Sequence, residues 1–217
     1  MRGGNGNKSV VKNQKLKINM GKLLVIITLC VVFLNLSITG YTQKEVGMKK
    51  VVMIIARNDF RDEELFLPKE ILEKSGIEVN VASTSLDVAK GMLGGTVRPD
   101  MLMSDINVSD FDAIVFIGGA GASQYWNDGV AHKLARDAFN TNKIIAAICI
   151  APVTLAKAGI LNGKRATVWS TEAGQLKVVG GAIYTGKNVE KDGNIITAAG
   201  PFAASQFGDE LLKALLY

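Results

Sequence analysis

Histidine and cysteine are scarce in this chain: one histidine, His132, and two cysteines, Cys30 and Cys149, among 217 residues. No Cys/His cluster can be assembled from them, so a structural zinc site has no ligands and neither a metal nor another cofactor is expected. A lone histidine also gives no Cys–His motif for general-base catalysis. The glycine-rich string "GGAGAS" (118–123) does not fit G-x-G-x-x-G, which argues against a dinucleotide site. The folded part lacks a basic excess as well. Of the 25 Lys and Arg, six lie in residues 1–22 with no acid among them, leaving 25 − 6 = 19 basic against 20 acidic residues. The overall charge of +5 therefore belongs to the N-terminus. Without a basic face, nucleic acid is not a partner.

The N-terminal region, residues 1–47, has a physical form of its own. A basic stretch precedes an apolar run from Leu23 to Leu34, inside a segment 23–40 that ends in small and polar residues. A bilayer span needs about 20 apolar residues, whereas the apolar region of a secretory signal needs roughly 7–15. The segment fits a signal peptide better than a permanent membrane helix, and the mature chain is expected to begin between about residues 41 and 47. Export to the periplasm or outside the cell follows. The alternatives are a membrane anchor through this segment or, with translation starting at Met48, a cytoplasmic protein. Cys30 lies in the apolar run, so its removal would leave Cys149 as an unpaired thiol. An odd cysteine in an exported chain points to a reactive or intermolecular thiol.

From Met48 to Tyr217 apolar runs alternate with amphipathic segments. "VVMIIA" (51–56), "IEVNVAS" (77–83), "DAIVFIGG" (112–119) and "IIAAIC" (144–149) have the continuous, β-branched character of strands buried on both faces. Helices are expected over "DEELFLPKEILEKSG", "NDGVAHKLARDAFNTNK", "APVTLAKAG" and "PFAASQFGDELLKALL". The Gly94-Gly95 and Asp192-Gly193 pairs mark turns between short strands, and "KRATVW" (164–169) reads as a further strand. Pro68 is expected to distort the first helix, since it cannot donate to the Glu64 carbonyl. The pattern predicts one α/β sandwich domain, 48–217, with a mainly parallel sheet covered by helices on both faces.

Cys149 falls where a buried strand meets a helix, and Pro152 supports a helix start there. In open α/β sheets functional groups collect beyond the carboxyl ends of strands. A thiol at a helix N-terminus meets free N–H groups and the positive dipole end, which predicts a thiol pKa below the free value of about 8.5. The plainer alternative is a cysteine packed as a small hydrophobe.

Four strings, "DEELFLP" (62–68), "FIGGAGA" (116–122), "AAICIAP" (146–152) and "KDGNIITAAGP" (191–201), resemble in order the ThiJ/PfpI superfamily. That group includes PfpI-type peptidases and the parkinsonism-associated deglycases. The resemblance implies a flavodoxin-like sandwich with the cysteine on a strand-to-helix elbow, and a homo-oligomer. It implies Cys149 as the reactive thiol, Glu64 as the acid that contacts it, and the backbone N–H groups of Gly119 and Ile150 as oxyanion-type donors. The family histidines are missing: Ile150 stands where peptidase members have one, Trp169 where deglycase members do. His132 is read as a solvated helix residue, and peptide hydrolysis loses its general acid. Two functions remain open. One is a thiol enzyme on small reactive carbonyls, of glyoxalase or deglycase type. The other is a redox-sensing or interaction module in which an oxidant modifies Cys149.

Overall fold

The computed structural model describes residues 47–217. The signal-like segment and its expected cleavage lie outside the described residues. Among those described, no helix is long and apolar enough to cross a membrane.

The apolar runs become strands whose side chains alternate between two faces. Among the described residues β1 (Lys50–Ile54) comes first and β2 (Asn58–Phe60) follows it. α1 (Asp62–Lys74) leads to β3 (Glu78–Ser83) and then to β4 (Ala89–Gly91), β5 (Thr96–Val97) and β6 (Met101–Leu102). β7 (Ala113–Phe116), α2 (Gly129–Asn140), β8 (Ile144–Ile148) and α3 (Pro152–Lys157) form the middle of the chain. β9 (Arg165–Ala166), α4 (Ala173–Val178), β10 (Ile183–Tyr184), β11 (Val189–Asp192), β12 (Ile195–Ala198) and α5 (Ala204–Leu216) complete it.

Seven strands make the central sheet, in the order β11-β12-β8-β7-β1-β3-β6. All pairs are parallel except β11 with β12, which meet antiparallel across the Asp192-Gly193 turn. Val51, Met53 and Ile55 point to one face, with Leu65 and Leu72 of α1 and Phe207 and Leu211 of α5. Val52 and Ile54 point to the other, with Leu134 of α2, Val153 and Leu155 of α3 and Leu176 of α4. Covering both faces with helices explains why these strands are apolar throughout rather than alternating. The fold is a flavodoxin-like α/β sandwich.

Three local expectations are corrected. α1 runs unbroken through Pro68, packed against Gly208 of α5. The strand foreseen over 164–169 is only β9, paired in parallel with β10 in a separate two-stranded sheet. The helix after Cys149 is short and begins at Pro152, with a turn between. The Gly94-Gly95 hairpin is present, and β4 also pairs with β2, making a small three-stranded sheet β2-β4-β5. Its tip is held by Asp62, whose carboxylate accepts the N–H groups of Leu93 and Gly95 at 2.8 and 2.6 Å.

Candidate active site at Cys149

Cys149 leaves the C-terminal end of β8 with φ +63°, in the left-handed region. That conformation costs a non-glycine residue roughly 1–2 kcal/mol and persists only where its surroundings impose it. Here two backbone bonds do so: Cys149 N–H donates to Ala198 at 2.9 Å, and Trp169 N–H donates to the Cys149 carbonyl at 2.8 Å. The sharp turn lifts the side chain off the strand end, as at a nucleophile elbow.

α1 brings Glu64 to the same point from the adjoining layer. It is fully buried. One oxygen, Oε2, accepts Gly118 N–H at 3.1 Å, while Oε1 has no partner among the described protein groups. The carboxyl and the Cys149 side chain close on one another around Gly118, near enough for each to shift the other's titration. Gly118 has room for no side chain: a Cβ there would sit 2.6 Å from both the Cys149 Cβ and Glu64 Oε2. Gly119 (φ +96°) has its missing Cβ directed at the backbone of Asp59 and Arg61. The glycine pair is what lets carboxyl, thiol and backbone close on one another.

Burial pushes the Glu64 carboxyl up to about 8, against the opposing pull of the Cys149 contact, the Gly118 N–H and Arg61. At neutral pH it is therefore mainly protonated. Burial and the facing carboxylate push the Cys149 thiol up to about 12, opposed by the N–H groups of Gly119 and Ile150. The expectation of a lowered thiol pKa is thus corrected. The helix that was to supply a dipole is six residues long and starts past the turn, so two discrete N–H groups are left to oppose the desolvation of a half-buried thiol. The two acids are too close to ionise independently, and their first proton belongs to the pair. The Gly118 N–H bonds the carboxyl and the N–H groups of Gly119 and Ile150 act against the rise of the thiol, so both acids have backbone groups that favour their charged form.

All four anticipated positions, Cys149, Glu64, Gly119 and Ile150, meet here. His132 does not join them, nor is it simply solvated. Half-buried on α2, its Nε2 lies 2.9 Å from the Trp126 carbonyl. The Trp126 indole N–H in turn donates to the Ile150 carbonyl at 3.2 Å. Trp126 therefore holds the elbow turn from outside, a role that no local pattern in the sequence announces. Trp169, in the position that the resemblance gives to a histidine, is bound to the elbow only through its backbone.

The sequence model of the DJ-1/PfpI family matches residues 49–214. A protein of Methanocaldococcus jannaschii is 43% identical over 200 residues, covering 90% of this chain and 98% of that protein. The deglycase PfpI of Pyrococcus furiosus is 29% identical over 164 residues, 76% of this chain and 98% of that one. Among solved structures, a ThiJ/PfpI domain protein from Brachyspira murdochii superposes with a TM-score of 0.75 at 34% identity, covering 78% of this chain and 98% of that one.

Proposed function

The chain belongs to the DJ-1/PfpI family, and from that premise we propose that it is a cysteine-dependent enzyme acting on small reactive carbonyls in the manner of a glyoxalase or deglycase. The observation that carries this reading is the buried Glu64 carboxyl, pushed up to about 8 beside a thiol on a strained elbow. A carboxyl in that range can both give and take a proton near neutral pH.

With a 2-oxoaldehyde and the Cys149–Glu64 pair carrying a single negative charge, the sulfur adds as thiolate to the aldehyde carbon and the oxygen takes the Glu64 proton, giving a hemithioacetal and leaving Glu64 as carboxylate. Glu64 as carboxylate removes the hydrogen on that carbon, and the resulting enediol is protonated on the neighbouring carbon. The first carbon is then a thioester, oxidised by two electrons, and its neighbour is an alcohol, reduced by two. Water hydrolyses the thioester to a 2-hydroxy acid and restores the thiol. No external oxidant or reductant is needed. The N–H groups of Gly119 and Ile150 hold negative charge on sulfur or on the adjoining oxygen.

The missing family histidine favours the second reading, a thiol that is modified once by oxidant or carbonyl and does not turn over. Glu64→Gln separates the two. It keeps the shape and a donor but carries no transferable proton, so Cys149 should remain alkylatable by iodoacetamide while kcat on methylglyoxal falls about 10²-fold or more. Unchanged kcat in that variant would refute the proton-transfer role.

A further inference from the structure

Two large aromatic side chains flank the elbow without any part in the chemistry above. Trp169 is 37% exposed and Phe202 65%. Their ring centroids are 6.3 Å apart with the planes tilted by 46°, so they form an open wedge rather than a stacked pair. Both are fixed to the backbone that frames the thiol. Trp169 N–H donates to the Cys149 carbonyl, and Cys149 N–H donates to Ala198, at the head of the loop carrying Gly200 and Phe202. Gly200 permits the arrangement: a Cβ on it would lie 2.7 Å from Trp169 Cε3 and 3.3 Å from Phe202 Cε1. The wedge is built against this glycine.

We infer that Trp169 and Phe202 form an aromatic shelf that selects carbonyl compounds bearing an aryl or flat apolar substituent over those as small as methylglyoxal. The inference rests on the reading of Cys149 as the group that attacks the carbonyl. Exposed aromatic faces offer an aryl group both apolar contact and offset or edge-to-face packing. A polar or one-carbon substituent gains neither. The histidine position of the resemblance is thus used for recognition instead of proton transfer.

Two measurements on the full chain test this, one of them independent of turnover. In the first, Cys149 is alkylated with iodoacetanilide and with iodoacetamide, and the rate ratio is normalised to that of free cysteine. The second compares kcat/KM for phenylglyoxal and methylglyoxal. Both are repeated in Trp169→Ala and in Phe202→Ala, the latter at an exposed position where folding is least at risk. The aryl reagent should have an advantage of about tenfold at Cys149, and the aryl substrate a similar one, on the scale of one good aromatic contact. Each substitution should lower both ratios several-fold. An alkylation ratio equal to that of free cysteine, or one that neither substitution changes, overturns the shelf. Turnover of both glyoxals without aryl preference also overturns it while leaving the enzyme in place. An aryl advantage in alkylation with no turnover upholds the shelf and removes the enzyme.

Discussion

At the scale of single residues, Glu64 carries the most testable energetics. Its folded-state pKa of about 8 stands above the ordinary carboxyl value of 4.5. Between those values the folded chain holds a proton that the unfolded chain has released, so stability must fall as pH rises through this window. The contribution is complete below about pH 4.5 and gone above about pH 8. Glu64→Gln removes the titration. Urea denaturation at pH 5 and pH 8 should show the variant gaining on the wild type by up to roughly 4 kcal/mol at the higher pH. Parallel pH–stability curves for the two proteins would mean that the carboxyl is already ionised when folded. Position, spacing before Pro68 and resemblance singled out this glutamate in the sequence. Its protonation was not legible, because burial from an adjoining layer has no local signature among the acids Asp62, Glu63 and Glu64.

At the scale of elements, the strands of the central sheet other than β6, together with α1, α2 and α5, were readable because long apolar or amphipathic runs leave one packing solution. What escaped were elements whose pairing is decided by tertiary contacts. β2 and β6 span three and two residues, and β6 exists only because β3 offers it an edge. α4 follows directly on a short 3-10 segment, Ser170–Glu172, and shows no cap bonded by a side chain. The helix expected directly after Cys149 failed for a related reason: the positive φ of the cysteine uses three residues in a turn before Pro152 can start a helix. Trp126 links this turn to the rest of the fold. Removing its indole donor in Trp126→Phe should cost about 1 kcal/mol of stability, the usual net value of one hydrogen bond. It should also slow Cys149 alkylation several-fold at fixed pH, because the Ile150 N–H loses its support. A stability loss with unaltered alkylation would make Trp126 a packing residue alone.

At the scale of the whole molecule, the sheet assembles a site from parts far apart in sequence. Glu64 comes from α1, the glycine pair from the end of β7, the thiol from the end of β8, and the aromatic wedge from the segments that follow β9 and β12. Each lies beyond the carboxyl end of a parallel strand or on a helix packed there, where such folds collect their chemistry. In the proposed reading Cys149 is the nucleophile, Glu64 the acid and Gly119 and Ile150 the backbone donors, with an aromatic surface where the resemblance places a histidine. Whether Cys149 turns over separates an enzyme from a thiol that is modified once. Enzyme at a known active-site concentration is mixed with a hundredfold excess of methylglyoxal, and the 2-hydroxy acid formed is counted per Cys149. The wild type should form many equivalents and Cys149→Ser none. One adduct on Cys149, with no acid released, would contradict the enzyme reading and leave a thiol that is marked rather than one that catalyses.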